Sequence, residues 1–228
     1  MTAATMTPGT VGLVSVNVSL PTYLGQHRGQ PVESGIAKQP VEAPDLWLSQ
    51  VNLEGDGQAD LVDHGGPDKA VYAYPSEHLP AWSDELELGH VLGPAAFGEN
   101  LTTAGCAEAD VCIGDRWAWG DAVLEICQPR WPCFKLALHR GRGDIQRRMR
   151  ANGRTGWYLR VIEPGRVPVA GPIRVAERHP AGATVLLAHE AASPRSGVPT
   201  DVVEALLDVE PLALEWKGHL LAVLEAHS

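Results

Sequence analysis

Hydrophobic residues occur in short runs through the first 180 residues, and glycine or proline ends most of these runs. The first run has valine or leucine at most positions from Val11 to Val18 and stops before Pro21. Similar apolar, β-branched or aromatic runs predict further strands at residues 71–74, 111–119, 122–126, 157–162 and 173–175, and a turn at Gly114 and Asp115 interrupts the second of these runs. Because few helical segments separate them, the strands favour a barrel or a sandwich over a Rossmann-type parallel sheet.

Two segments within this strand-rich part have the period of a helix instead. Apolar residues spaced three and four positions apart follow Ser76, which is a suitable N-cap residue. A second helix is predicted from Asp144, as its cap, to Gly153, which suits the left-handed position after a helix.

The pattern changes in the last 45 residues, where three short helices are predicted. Residues 183–192 form the first candidate, and Asp201 and Glu204 have the spacing of a capping box at the start of the second. Apolar residues then repeat every four positions. We therefore expect a β-rich domain over residues 1–180 and a small three-helix module over residues 181–228.

The charge balance excludes some classes of partner and location. Acidic residues outnumber basic ones by 28 to 18, so nonspecific nucleic-acid binding is not expected. No run of 18 apolar residues is present, so we expect no membrane partner. The first eight residues hold neither lysine nor arginine and no apolar stretch, unlike a secretory signal, which favours the cytoplasm.

Half of the basic residues are concentrated between Arg130 and Arg160. Nine bases and one acid give this segment a charge of +8, while the rest of the chain carries −18. Such a segment is either a solvated helix face or a site for phosphate or carboxylate. The second interpretation is stronger for Arg130 and Lys135, because they flank Cys133.

Cys133 is the cysteine with the most informative surroundings. It follows two prolines and a tryptophan on a short turn, between Arg130 and Lys135. Neighbouring cations favour the thiolate, which is the form that binds soft metals or transfers sulfur. The alternative is a small buried hydrophobe, which is our expectation for Cys106, Cys112 and Cys127. No spacing among the four cysteines matches a structural zinc site.

Two further segments have residues suited to a ligand. The His64-Gly65-Gly66-Pro-Asp-Lys69 segment offers glycines that allow close backbone approach, and consecutive amides that bind anions. A plain turn explains the same residues. The segment from Phe97 to Thr103 reads as a turn entering a strand, with Asn100 bonding its own backbone.

Taken in order, these segments resemble the MOSC domain, named for the C-terminal domain of molybdenum-cofactor sulfurases, and most of all its YiiM-like subgroup. The resemblance covers roughly residues 10–180, and the last 45 residues resemble the three-helix module that follows the domain in that subgroup. The motifs that carry it are His64-Gly-Gly-Pro-Asp-Lys, Phe97-Gly-Glu-Asn-Leu, Ile113-Gly-Asp, Gln128-Pro-Arg-x-Pro-Cys133-x-Lys-Leu, and Gly156-Trp157 through Pro164-Gly165.

The resemblance implies a mainly β, barrel-like fold that binds the molybdenum cofactor, a pterin dithiolene with a terminal phosphate. It makes Cys133 the molybdenum ligand or sulfur carrier, and it places the family's strand-entry asparagine at Asn100. It also implies reduction of N-hydroxylated bases such as 6-hydroxylaminopurine. The electrons would come from an external electron-transfer protein, since no flavin or iron–sulfur motif is present. A homodimer is expected because the subgroup can be dimeric.

Within this interpretation the basic residues neutralise the cofactor phosphate, while Asn100 and the glycine amides form hydrogen bonds with it. His64 is the candidate proton donor, because histidine titrates near neutral pH. Trp131 shapes the substrate entrance. The expected cofactor-binding residues are Asn100, Arg130, Lys135, Gly65, Gly66, Lys69 and Arg154.

Two alternatives use the same residues. The domain can carry the cofactor, or a persulfide on Cys133, without catalytic turnover. It can also be a β-barrel module that binds some other anion. Catalysis with a supplied reductant separates an enzyme from a carrier.

Overall fold

The structure is a computed structural model that describes residues 9–60, 65–193 and 197–227. These residues contain twelve β-strands and six α-helices. The strands are β1 (Thr10–Val18), β2 (Thr22–His27), β3 (Gln30–Ser34), β4 (Gln39–Pro40), β5 (Asp45–Leu48), β6 (Val71–Pro75), β7 (Leu101–Ala104), β8 (Arg116–Trp119), β9 (Ala122–Pro129), β10 (Trp157–Glu163), β11 (Gly165–Pro168) and β12 (Ile173–Glu177). The helices are α1 (His78–Glu85), α2 (Phe134–Arg140), α3 (Ile145–Asn152), α4 (Val185–Ala191), α5 (Thr200–Leu207) and α6 (Leu214–His227).

Seven of the strands form a closed barrel. They are hydrogen-bonded in the order β12-β8-β9-β10-β6-β7-β1, and β1 pairs back to β12 to close the ring. Thr10 lies opposite Arg174 at this seam. All pairs around the ring are antiparallel except β6 with β7. The mainly β, barrel-like fold that the sequence indicated is therefore confirmed.

Burial in the strands follows the alternation expected for a filled barrel. Trp117 and Trp119 of β8 are buried, whereas Arg116, the first residue of the strand, is exposed. The rings of Trp117 and Trp157 meet edge to face, with 5.9 Å between centroids. Outside the barrel wall, Trp82 of α1 packs with Tyr74 and Phe97 in a second apolar cluster.

Several helix and strand boundaries differ from the predicted ones for local reasons. Ser76 does not cap α1, because its amide donates to the Thr103 carbonyl and the helix begins at His78. The predicted bounds of the second helix are confirmed, with Asp144 at the N-cap position of α3 and Gly153 in the left-handed conformation after it, although the Asp144 carboxylate pairs with Arg142 and Arg148 and forms no side-chain capping bond. The turn predicted at Gly114 is present, with a φ of +87°, and the strand that follows it is β8.

The three C-terminal helices pack on the barrel. Their apolar residues, including Trp216, belong to the same buried cluster as the barrel interior. The Ala213 amide donates to the Cys127 carbonyl of β9 over 3.0 Å. The capping-box prediction was wrong, because α5 begins at Thr200 and forms no side-chain cap. The division at residue 180 stays a prediction.

No helix in the described part of the chain has the length and apolar character needed to cross a membrane.

Candidate functional site

Two adjoining cavities meet at Cys133. We call the first the basic cavity; it contains about 580 Å³ of space, part of it open to solvent. The second, the aromatic cavity, contains about 750 Å³ by the same measure. Cys133, Lys69 and Tyr158 line both. A molecule in either cavity therefore lies beside the thiol.

The loop after β9 holds Cys133 in place. Pro132 precedes it, and the carbonyl oxygen of Pro132 accepts a hydrogen bond from Arg150 Nη2 at 2.9 Å. Cys133 itself has an extended backbone and stands just before α2, whose Leu136 amide donates to its carbonyl oxygen. Its side chain is half-buried. The thiol is thus fixed at the junction of the two cavities.

Arg130 supplies the most unusual charge in the basic cavity. It is only 5 % exposed, and its Nη1 donates to the Tyr72 hydroxyl at 3.2 Å. Its guanidinium carbon lies 4.7 Å from the centre of the Tyr72 ring. Among the residues that the structure describes, no carboxylate forms an ion pair with it. A buried cation is unfavourable without an opposite charge, so an anion placed in this cavity would be attracted to Arg130.

The two tyrosines beside Arg130 keep their protons at neutral pH. Burial raises the pKa of Tyr158, and the Arg130 charge opposes that rise without reversing it. Burial also raises the pKa of Tyr72 well above its usual value. The Tyr72 hydroxyl donates onward to the Thr155 carbonyl oxygen at 2.8 Å. Neither phenol neutralises the guanidinium.

Three lysines complete the basic lining, and each has a carboxylate partner. Lys135 Nζ lies 3.3 Å from Asp60, and Lys69 Nζ lies 2.5 Å from Glu215 of α6. Lys38 pairs with Asp56. Burial lowers the pKa of Lys38, and the Asp56 charge works against that decrease.

Asn100 lines the basic cavity and links three segments of the fold. Its Oδ1 accepts from the Tyr72 amide at 3.1 Å. Its Nδ2 donates to the Asn17 carbonyl oxygen at 3.2 Å and to Asp56 Oδ2 at 2.9 Å. It therefore holds the cavity wall together, and contact with a cofactor stays a prediction for this residue.

The predicted site residues separate into two groups. Five of them meet in the basic cavity: Lys69, Asn100, Arg130, Cys133 and Lys135.

The remaining predicted residues lie elsewhere. Arg154 does not reach either cavity; it pairs with Glu85, and its guanidinium carbon lies 4.8 Å from the Trp82 ring centre. Gly65 and Gly66 line neither cavity, although Gly66 begins the short 3-10 turn that carries Lys69. His64 lies outside the described residues.

The charged and aromatic residues of the basic cavity that sequence reasoning missed are Lys38, Asp56, Tyr72 and Tyr158. Lys38 and Asp56 occur in a loop-rich region without a recognisable motif, so their sequence gave no signal. Tyr72 and Tyr158 looked like ordinary strand residues. Only the pairing of β10 with β6, which sets Tyr158 opposite Tyr72, brings these rings to one wall.

The aromatic cavity is bounded by α6 and the loop before Cys133. The Trp131 ring is stacked on His219 of α6, with 4.9 Å between centroids, and meets Trp216 edge to face at 5.7 Å. The Arg150 guanidinium carbon lies 4.7 Å from the Trp131 ring centre. These contacts hold Trp131 on the lining of the aromatic cavity, which Cys133 also lines, and its role at a substrate entrance stays a prediction.

No group of three or more histidine, cysteine, aspartate or glutamate side chains in the described ranges is arranged to hold a metal ion. Cys133 is the soft donor that faces both cavities. The other charged residues that line the basic cavity are four cations and the carboxylate of Asp56, which is paired with Lys38.

Comparison with known proteins identifies relatives across most of the chain. A family model described as the MOSC domain matches residues 60–175. Uncharacterized protein YflK of Bacillus subtilis (strain 168) is 40 % identical over 214 residues, which is 92 % of each chain. Protein YiiM of Escherichia coli (strain K12) is 41 % identical over 159 residues, or 68 % of this chain and 70 % of YiiM.

The fold agrees with these sequence matches. The crystal structure of YiiM from Escherichia coli aligns with a TM-score of 0.74 and 30 % identity over 97 % of this chain and 95 % of that one. A protein named Reductase from Gibberella moniliformis (strain M3125 / FGSC 7600) is 35 % identical over 152 residues. That match covers 66 % of this chain and 27 % of the fungal protein.

Proposed function

Since this chain belongs to the MOSC domain family, we propose that it binds a molybdenum cofactor and reduces N-hydroxylated compounds of the 6-hydroxylaminopurine type. An external electron-transfer protein would supply the electrons. The fungal relative named as a reductase supports a redox role over simple binding. The observation that carries the proposal is the buried Arg130, which lacks an ion-pair partner among the described residues and shares its cavity with Cys133.

The donor set of the basic cavity fits the cofactor. A phosphate needs buried cationic donors, and Arg130 and Lys135 provide them, with Lys69 and Lys38 on the same lining. A soft metal prefers a thiolate ligand, which Cys133 provides. When bound, the cofactor supplies the two-electron redox chemistry, as cofactors generally do.

The chain's own residues bind, orient and handle protons. Arg130 and Lys135 hold the anionic end, while Tyr72 fixes the Arg130 guanidinium through a hydrogen bond of 3.2 Å. Reduction of an N–OH group to N–H consumes two electrons and two protons and releases water. The Tyr158 hydroxyl, which lines both cavities, keeps a proton there, and His64 remains our candidate for delivering one from solvent.

Molybdenum per chain is the measurement that tests the cofactor assignment. We would compare wild type with Cys133→Ser, purified from cells that make the cofactor. Cys112→Ser is the matched control, since Cys112 is also half-buried but lines neither cavity. Loss of molybdenum in Cys133→Ser alone is expected. Equal molybdenum in all three chains contradicts Cys133 as the ligand, and its absence from a wild-type chain made beside a loaded molybdoenzyme contradicts the cofactor assignment.

Turnover is tested separately, with 6-hydroxylaminopurine and a chemically reduced viologen as electron source. Formation of the amine by the molybdenum-loaded wild type is expected, with loss in Cys133→Ser. A loaded chain that reduces nothing would instead be a carrier of the cofactor, or of a persulfide on Cys133.

A further inference from the structure

We infer that Arg150 of α3 is a positioning residue for Cys133: it holds the turn that carries the thiol, and its charge draws anions toward the sulfur. Resting on the proposed function, this role concerns how Cys133 is presented to the cofactor and the substrate. Arg150 lines neither the basic nor the aromatic cavity, so it acts through the turn and not by touching a ligand. Three contacts that α3 makes with Trp131 and Pro132 carry the inference.

Two side chains of α3 bond the backbone of the turn. Arg150 Nη2 donates to the Pro132 carbonyl oxygen at 2.9 Å, and Gln146 Nε2 donates to the same oxygen at 3.4 Å. Gln146 and Arg150 are four residues apart, so they lie on one face of the helix. The Pro132 carbonyl belongs to the planar peptide group that leads into Cys133. Holding this oxygen therefore fixes the backbone from which the thiol projects.

The third contact is with the ring that precedes the proline. The Arg150 guanidinium carbon lies 4.7 Å from the centre of the Trp131 ring, which is a cation–π distance. From α6, His219 stacks on the same ring with 4.9 Å between centroids. Arg150 thus secures the side chain of Trp131 and the backbone of Pro132, the two residues directly before Cys133.

The end of α3 that carries Arg150 is itself anchored. Arg150 lies in the last turn of the helix, where carbonyl groups lack partners within the helix. His189 of α4 supplies a partner, because its Nε2 donates to the Arg150 carbonyl oxygen at 2.8 Å. Gly153, with a φ of +69°, follows the last helical residue. The guanidinium therefore reaches the turn from a fixed helix end.

Charge is the second part of this role. Burial lowers the pKa of Arg150, and Cys133 opposes that decrease. Burial also acts to lower the pKa of Arg130, and Cys133 is among the neighbours that raise it. The sulfur is therefore within electrostatic reach of two guanidinium groups. Arg130 acts inside the basic cavity, whereas Arg150 adds its charge from outside it.

α3 thereby has a part in the chemistry proposed for Cys133. Groups that bind a ligand or a metal must be held within about 0.5 Å of their productive positions. The contacts of Arg150 and Gln146 provide that support for the sulfur, and the charge of Arg150 favours an anionic partner there. The proposed cofactor is such a partner.

Hydrogen–deuterium exchange of the full chain, read by mass spectrometry, measures whether Arg150 holds the turn. The peptide that contains Trp131 and Cys133 should exchange about tenfold faster in Arg150→Gln than in wild type, the effect of losing one hydrogen bond from a charged donor. Arg147→Gln is the matched control, because it removes the same charge three residues earlier on α3, from an exposed position. Its turn should exchange at the wild-type rate.

Alkylation of Cys133 measures the charge separately. Iodoacetate is an anion and iodoacetamide is neutral, but both react with the thiolate and release iodide. At a fixed pH the ratio of the two rates cancels the thiolate fraction and reports the electrostatic potential at the sulfur. The iodoacetate-to-iodoacetamide ratio should fall about two- to threefold in Arg150→Gln, the effect in water of one unit charge roughly 6–8 Å away. A merely structural role would change both rates together and leave the ratio unchanged.

Two further variants separate the contact from the charge. Gln146→Leu removes a hydrogen bond to Pro132 without changing the charge, so the turn should exchange faster while the alkylation ratio stays at the wild-type value. Arg150→Lys keeps the charge, but lysine lacks the planar fork that bonds Pro132 and lies over Trp131. The lysine variant should therefore also combine faster exchange with a wild-type ratio, and it replaces Arg150→Gln if that chain fails to fold.

Equal exchange of the turn in Arg150→Gln and Arg147→Gln, or an equal alkylation ratio in these two variants, would overturn the inference. Both measurements use protein from cells that do not make the cofactor, so neither depends on the proposed function. If both effects are present but wild type takes up no molybdenum in cofactor-making cells, the proposed function alone is refuted. If wild type takes up molybdenum and Arg150→Gln shows neither effect, the role of Arg150 alone is refuted.

Discussion

Replacing Arg130 with methionine should weaken anion binding without weakening the fold. The substitution keeps an unbranched side chain of similar length but removes a guanidinium that is 5 % exposed. The chain loses a hydrogen bond of 3.2 Å to the Tyr72 hydroxyl and a contact with the Tyr72 ring. Tyr72 still donates to Thr155, and the Tyr158 hydroxyl, which also bonds Arg130, lines a cavity that is partly open to solvent, so water can replace the lost bond.

The expected magnitudes follow from the surroundings of Arg130. A hydrogen bond to a charged group contributes about 1.5–3 kcal/mol, so phosphate affinity should fall by about 10- to 150-fold. Burying an unpaired charge costs several kcal/mol, which offsets what its contacts contribute. We therefore expect the free energy of unfolding, measured without phosphate, to stay unchanged or rise by up to about 2 kcal/mol.

Urea denaturation with and without inorganic phosphate measures both quantities in one assay. Phosphate should stabilise wild type increasingly as its concentration exceeds the dissociation constant, and should stabilise Arg130→Met far less. Arg166→Met is the matched control, since Arg166 is exposed and pairs with Asp45. The reasoning is refuted if Arg130→Met is less stable by more than about 1.5 kcal/mol and still gains as much from phosphate as wild type.

Three other predictions concern the thiols, the cavity wall and acid stability. Iodoacetamide at neutral pH should label the half-buried Cys133 well before Cys127, whose pKa burial raises far above neutral; mass mapping that shows Cys127 labelled first would contradict this. Asn100→Ala should lower the urea-measured free energy of unfolding by roughly 2–4 kcal/mol, since three buried hydrogen bonds are lost, whereas Asn152→Ala should change it by less than about 1 kcal/mol. Burial and two neighbouring arginines lower the pKa of His139 to about 4, from 6.5 in the unfolded chain. The contribution of the neutral imidazole to stability is therefore present above pH 6.5 and is lost as the pH falls toward 4. The His139→Gln chain should therefore lose roughly 2 kcal/mol less than wild type between pH 7.5 and 4.5, and an identical loss in both chains would show that His139 is not responsible.

The strands that could be predicted from sequence are those with one buried face. β1, β9, β10 and β12 carry apolar runs because they form the barrel wall, and their predicted positions agree with the structure to within a few residues. The hairpin of β2 and β3 was missed, since most of its residues are exposed or half-buried and it has no apolar period. Apolar residues recur along a strand because one of its faces is buried, so a strand without a buried face has little apolar pattern from which it could be predicted.

Some residues of the site are close together along the chain, whereas others meet only through contacts between distant segments. Arg130, Cys133 and Lys135 lie within six residues of one another, so their neighbourhood could be foreseen. Arg154 instead pairs with Glu85, which is 69 residues away along the chain. Lys38 enters the basic cavity only because its partner Asp56 is held by Asn100 and the Ser19 amide. Such long-range contacts follow from strand pairing, and no short sequence motif predicts them.

The seam of the barrel also constrains how the molecule is made. β1 leaves the ribosome long before its partner across the seam, because that partner, β12, begins only at Ile173. Until that strand emerges, the nascent sheet has two open edges, and open edges readily pair with other chains. Contacts between such distant residues also form slowly. The barrel therefore stays open throughout the interval between the synthesis of β1 and that of β12, and protection by chaperones is most valuable during that interval.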